Sequence, residues 1–205
     1  MSDYYNSTEE QQFNEAKNWF KKNGMPILLA ICVISGASFG WQYWKKHQID
    51  VAVQTSENYQ QVIENYLQNP TKNAPLVDKF ISENKSAYAV LAQLELAKQQ
   101  VEKADFSGAK TQLEQALLAT EDTTLQNIIR FRLALVEYQL GNFDSALSVL
   151  EKVQDKAWQL RKQILTGDLF VAKADKEAAK AVYEQAKINA TEQEKVLIDI
   201  RLNNL

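Results

Sequence analysis

Residue types that carry catalytic or metal chemistry are scarce in this chain of 205 residues. It has one histidine, His47, and one cysteine, Cys32, which lies inside a long apolar run. A nucleophile with its base, or a zinc site, needs several such side chains held together. No glycine-rich phosphate-binding loop occurs, and the carboxylates fall mostly on helix faces that water would cover. We therefore predict a protein that is not an enzyme and has no cofactor or metal.

The composition narrows the class further. Lys and Arg together number 23, Asp and Glu 26, and no basic block is present, so we expect no nucleic-acid binding. A single cysteine forms no intrachain disulfide. Only three prolines and six glycines interrupt the sequence. This profile predicts an all-α chain.

Residues 24–44 form an uncharged segment of 21 residues. At about 1.5 Å per residue it crosses a hydrocarbon core of roughly 30 Å, so we predict a single transmembrane helix. Pro26 fits the first turn of that helix, where a missing N–H costs least. Gly36 and Gly40 form a small-xxx-small pair suited to packing against another membrane helix. Residues typical of a membrane interface close the segment: Trp41, Tyr43, Trp44, Lys45 and Lys46.

Two alternatives to an anchor stay open from the residues alone. Small residues at 35–37 resemble a signal-peptide cleavage site, although a tail of 23 residues with four carboxylates is unlike a short basic start. A buried core helix is the second alternative. Three lysines precede the segment and two follow it, so the positive-inside rule favours a cytoplasmic N-terminus only slightly.

The anchor divides the chain into a tail, residues 1–23, and a soluble domain, residues 45–205. The tail contains an amphipathic helix candidate at 8–22. We predict that the domain opens with helices at 48–68 and 75–84, separated by a turn at 69–73 around Pro70.

Three similar segments follow in the domain: residues 104–116 (ADFSGAKTQLEQA), 141–153 (GNFDSALSVLEKV) and 174–186 (ADKEAAKAVYEQA). Their starts are 37 and 33 residues apart, near the 34-residue tetratricopeptide period. We predict tetratricopeptide-like helical hairpins at about 86–118, 124–154 and 158–187, forming a solenoid, with a capping helix at 191–205. Small residues should let paired helices approach closely, and larger ones should fill the space between pairs: Ala97, Ala134, Gly167, Ala109, Ala146 and Ala179 are small, and Leu113, Leu150 and Tyr183 are large.

The first helix of each repeat usually lines the inner surface of such a solenoid. Apolar residues on the predicted inner face give a candidate protein-binding groove: Leu91, Leu94, Val101, Ile128, Phe131, Leu135 and Tyr138. An apolar groove suits extended hydrophobic segments or a partner's helix. The alternative is that the helices at 48–84 fold back and fill it.

Four segments resemble the YfgM family of gammaproteobacterial inner-membrane proteins: residues 40–50 (GWQYWKKHQID), 79–88 (KFISENKSAY), 93–97 (QLELA) and 203–205 (NNL). The likeness covers the tail, the anchor and the repeat domain. The resemblance implies an ancillary subunit of the SecYEG translocon in the bacterial inner membrane, with a cytoplasmic N-terminus and a periplasmic domain. It offers no catalytic residues.

The resemblance also implies partners: the translocon, a membrane-anchored periplasmic prolyl-isomerase-like chaperone, and unfolded secretory or envelope proteins. The function to expect is a chaperone or adaptor that passes newly translocated proteins to periplasmic folding factors. A scaffold that binds one folded partner through the same groove is the alternative.

Overall fold

The computed structural model describes residues 9–188 and 190–205, and these residues contain helices and no strand. The prediction of an all-α chain is confirmed for this part. The helices are α1 (Glu9–Gln68), α2 (Pro70–Glu83), α3 (Ala87–Glu102), α4 (Phe106–Leu118), α5 (Thr123–Gln139), α6 (Phe143–Glu151), α7 (Gln159–Ala172), α8 (Lys176–Ile188) and α9 (Glu192–Asn203), with a 3-10 turn at Lys156–Trp158 before α7. The chain divides into two compact units between Glu57 and Asn58.

The first unit contains most of α1, which continues without a break from the predicted tail helix through the apolar segment. Residues 1–8 of the predicted tail, with the first residue of its helix, lie outside the described residues. Pro26 was predicted to lie in the first turn of a helix, but it lies inside α1, which begins at Glu9. The helix extends before Pro26 because Glu, Gln, Ala and Lys, which favour helix, precede it. Within the described residues, α1 is the one helix long and apolar enough to cross a membrane.

The second unit begins with the end of α1 and with α2. The prediction of a turn at 69–73 is wrong, because α2 begins at Pro70 and only Asn69 separates it from α1. Pro70 occupies the first helical position, where no donor is needed, and Asn69 Oδ1 accepts a hydrogen bond from Lys72 N–H at 3.1 Å. Asn73 then donates to the Asn65 carbonyl at 2.6 Å, which holds the start of α2 against the end of α1.

Three helix pairs follow: α3 with α4, α5 with α6, and α7 with α8. Ala104, Gly141 and Ala174 begin the three aligned segments, and all three have positive φ, at 58°, 76° and 60°. Each therefore makes the same left-handed turn between paired helices, although only Gly141 lacks a Cβ that opposes it. At this position the backbone repeats as the sequence does.

Close approach of the paired helices depends on the small residues of the repeat. Ala109, Ala146 and Ala179 are fully buried at equivalent positions near the start of α4, α6 and α8. The larger residues four positions further on, Leu113, Leu150 and Tyr183, are also buried. The third pair combines the largest of them, Tyr183, with Gly167 in α7, where the first two pairs have Ala97 and Ala134.

Replacing Gly167 by alanine should destabilise the chain, although alanine normally favours a helix. An added Cβ would lie 2.3 Å from Cε1 of Tyr183. That ring is buried and its hydroxyl is bonded to Asp168, so it has little room to move. We expect the free energy of unfolding to fall by about 1–3 kcal/mol, measured by urea denaturation of the full-length chain in detergent.

The control combines Gly167→Ala with Tyr183→Leu, which recreates the alanine–leucine combination of the other two pairs. The double variant should be more stable than the sum of the single effects predicts, by at least about 1 kcal/mol, because leucine leaves space for the new Cβ. Additive effects would contradict this account of the contact.

Candidate protein-binding groove

An apolar depression of the second unit lies between α3, α4 and α5 and has a volume of about 480 Å³. We call it the first pocket. Its walls are almost wholly apolar, and three charged side chains, Lys98, Glu102 and Arg132, stand among them. The main apolar wall residues are Leu94, Ala97, Val101, Phe106, Leu113 and Leu135.

A second pocket, of about 340 Å³, lies between α5, α7, α8 and α9. It is more polar, because Gln139, Asp168, Arg201 and Asn204 line it beside apolar residues. Leu135 and Gln139 line both pockets, so the two pockets adjoin along α5, and we call them together the groove. The groove changes from apolar beside α3 to mixed beside α9.

Three polar side chains connect α7, α8 and α9 in the second pocket. The Tyr183 hydroxyl donates to Asp168 Oδ1 at 2.6 Å, and Arg201 Nε donates to the same oxygen at 2.9 Å. Burial and the bond to Asp168 raise the pKa of Tyr183 well above its usual value, so the hydroxyl stays a donor. These groups satisfy one another and fix the position of the capping helix.

The position of α5 depends on a buried carboxylate. Only 2% of Glu137 is exposed, and it accepts hydrogen bonds from Asn142 at 2.8 Å, Ser145 at 2.9 Å and Lys110 at 2.8 Å. Burial raises the pKa of Glu137, but these three bonds outweigh it and hold the pKa below its usual value. The ionised carboxylate thus connects α5 to α4 and to the start of α6.

The structure divides the seven predicted groove residues among different surroundings. Leu94, Val101 and Leu135 line the first pocket, and Tyr138 joins Leu135 in the second. Leu94 is also a buried member of the α3–α4–α5 core, on which Leu91 and Ile128 pack. Phe131 and Tyr138 pack on the α5–α6–α7 core, and the Phe131 ring lies 5.4 Å from that of Trp158.

The alternative in which the chain's own helices fill the groove is not found for residues 58–84, the part of that segment that lies in the second unit. Tyr59 and Tyr66 of α1 and Phe80 of α2 belong to a separate cluster with Ala92 and Leu96 of α3. Within the second unit, neither pocket has a wall residue from the end of α1 (58–68) or from α2. Leu135 consequently keeps 41% of its surface exposed.

Sequence reasoning missed the polar residues of the groove: Arg132, Asp168 and Arg201. The alignment of the repeats contained one indication of a polar residue in the groove. The register that pairs Gly141 with Ala174 also pairs Leu135, which was predicted to line the groove, with Asp168. Arg201 lies 33 residues beyond Asp168, in a helix outside the repeat. Across residues 9–188 and 190–205, no group of His, Cys, Asp or Glu is placed to hold a metal ion.

In the first unit, the predicted interface residues lie on an exposed part of α1. The rings of Trp41 and Trp44 contact each other with centroids 5.3 Å apart. Tyr43, Lys45 and Lys46 are exposed beside them. A Cβ added at Gly36 or Gly40 would meet no atom within 4 Å, so this face is open to another helix.

The tetratricopeptide repeat-like domain family matches residues 17–205. Curated relatives from Haemophilus influenzae and Aggregatibacter actinomycetemcomitans are each 42% identical over 98% of this chain and 99% of their own length. A relative from Escherichia coli K12 is 34% identical over 96% of both chains. The chain belongs to the YfgM family.

The family assignment confirms the resemblance found in the sequence and the tetratricopeptide-like fold. Each of these YfgM relatives bears the name "Ancillary SecYEG translocon subunit". No solved structure matches the chain.

The Glu137 carboxylate should make stability depend on pH. Because its folded-state pKa lies below the usual glutamate value of about 4.3, ionised Glu137 stabilises the fold above that pH. The contribution is lost as pH falls through the folded-state pKa. Glu137→Gln should lower the free energy of unfolding at neutral pH by about 1–3 kcal/mol, and its difference from wild type should narrow in acid.

Denaturation across a pH series measures this difference. Glu184→Gln is the matched control, because Glu184 is exposed on α8 and should change stability little at any pH. A deficit in Glu137→Gln that stays constant into acid would contradict a role for the ionised carboxylate.

Proposed function

We propose that this chain is a membrane-anchored ancillary subunit of the SecYEG translocon that binds other polypeptides through its groove. The observation that carries the proposal is the open apolar surface of the first pocket, with Leu135 and Val101 more than a third exposed. An apolar surface concentrated in a depression is typical of a protein-binding site. The association with the translocon is proposed from the name that the YfgM relatives share.

The bound polypeptides we propose are newly translocated, still unfolded chains. They expose apolar side chains that a folded protein covers, and the groove offers a matching surface. The subunit would pass them to periplasmic folding factors, and its membrane-anchored partner would be a prolyl-isomerase-like chaperone. Because the end of α1 (58–68) and α2 pack in a separate cluster of the second unit, this role is favoured over a scaffold that binds one folded partner.

The membrane part of the proposal is an uncleaved, single-pass anchor at 24–44 in the bacterial inner membrane. The aromatic rings of Trp41, Tyr43 and Trp44 suit the interface, where one side of a ring is apolar and the other wet. The open face at Gly36 and Gly40 suits close packing with a translocon or partner helix. The N-terminus would be cytoplasmic and the domain 45–205 periplasmic.

Protease added to intact spheroplasts should digest the domain and leave a short anchored fragment. The expectation follows from the topology, because only the periplasmic side is reached. Immunoblotting with one epitope tag at each end measures both products. Spheroplasts that lose other periplasmic proteins to the protease but protect this domain would contradict the topology.

Replacing Leu135 by serine should weaken binding to an unfolded chain. The side chain lines both pockets, and loss of its apolar contact should cost about 1–2 kcal/mol of binding free energy, or roughly five- to thirtyfold in Kd. Fluorescence anisotropy with a labelled, neutral, leucine-rich peptide and the full-length chain in nanodiscs measures the change.

Leu118→Ser is the matched control, because Leu118 is 88% exposed and lines neither pocket. It makes the same chemical change outside the groove and should leave the Kd unaltered. Thermal melting of both variants separates lost binding from lost folding. Equal effects of the two substitutions would remove the groove from the proposed function.

A further inference from the structure

We infer that the groove selects extended segments in which an acidic residue lies beside apolar ones, and that Arg132 binds the acidic carboxylate. This inference rests on the proposed function, because it names the class of polypeptide that the same groove would take. Apolar contact alone would accept any hydrophobic segment. A charged residue at the pocket makes binding specific for some of these segments over others.

Arg132 is the charged group of the first pocket that is free to pair with a ligand. The other two, Lys98 and Glu102, lie 4.0 Å apart as an ion pair, and Lys98 also approaches Glu95 to 3.2 Å. Arg132 is exposed and makes no hydrogen bond or ion pair with any residue that the structure describes. A ligand carboxylate would therefore break no existing interaction to reach it.

The chemistry of arginine and its place on α5 specify what the ligand must carry. A guanidinium group presents paired N–H donors that match the two oxygens of a carboxylate. Leu135 is three residues after Arg132, so the two share one face of α5. A ligand that places an apolar side chain on Leu135 thus places a neighbouring residue beside Arg132.

The course of the groove favours an extended segment over a helix. It crosses from α3 over α5 to α7, and at about 8–10 Å between helix axes this is roughly 16–20 Å. An extended chain covers that distance in five or six residues at about 3.3 Å each. Gln139, exposed where the pockets meet, offers an amide that can both donate to and accept from main-chain groups. An extended segment leaves those groups free, whereas a helix uses them internally.

Three labelled peptides test the inference on the full-length chain in nanodiscs. They share one apolar sequence with a central proline, which prevents helix, and differ in one flanking residue: serine, aspartate or lysine. Wild type should bind the aspartate peptide about three- to tenfold more tightly than the lysine peptide at low salt. Arg132→Glu should reverse that order and leave the affinity for the serine peptide nearly unchanged.

Lys180→Glu is the control, because it changes the charge equally at an exposed residue of α8 that lines neither pocket. It should retain the wild-type order. Since Arg132 has no bonded partner within the described chain, Arg132→Glu should melt at the wild-type temperature.

The outcomes separate this inference from the proposed function. If the serine peptide binds and Leu135→Ser weakens it, but Arg132→Glu does not reverse the charge preference, the inference is overturned and the proposed function stands. If the serine peptide binds no more weakly to Leu135→Ser than to wild type, the proposed function fails. If only proline-free, helical versions of the peptides bind, the groove takes a partner's helix and the inference is overturned.

Discussion

The close contact between paired helices at small side chains is the constraint on which the domain depends. Ala109, Ala146 and Ala179 are fully buried, and a larger side chain at any of them would push two helices apart. The third pair shows how this contact is adjusted, since Tyr183 fits because Gly167 has no Cβ. The ring then reaches Asp168, and Asp168 reaches Arg201 of α9. One missing methyl group thus contributes to the position of the capping helix and to the wall of the second pocket.

The groove exists because the polar groups that fix α5 lie away from it. Glu137 is on the buried side of α5, where Lys110, Asn142 and Ser145 satisfy its carboxylate. A buried charge with fewer partners would destabilise the helix that carries the groove. With α5 fixed from behind, Leu135 stays exposed between the two pockets. The groove side of α5 therefore keeps its apolar surface, while the interactions of Glu137 on the buried side stabilise the helix.

The sequence predicted the helices and their pairing because both follow from local, repeated features. Small and large residues recur in register at 104–116, 141–153 and 174–186, and each segment begins with the same left-handed turn. The groove residues were harder to predict because both faces of α5 are apolar. Which of its side chains are buried depends on the residues from other elements that pack against them. Phe131 was predicted to line the groove, yet Trp158, from a turn outside the repeat alignment, lies against its ring. The Asn69 cap was missed because two prolines nearby indicated a longer break than the single residue that α2 requires.

A groove of this kind suits brief contacts with many chains more than stable binding of one. Its apolar part is a pocket of about 480 Å³, which accommodates a few side chains, whereas a stable protein interface engages about 20–30 residues a side. Contacts of that size are individually weak, and ordering an unfolded segment weakens them further. An anchor in the same membrane as the exit of the translocated chain would offset this weakness, because it raises the effective concentration of groove and segment without any added contact. In the role we propose, low intrinsic affinity is useful, because a segment that is released quickly remains available for folding.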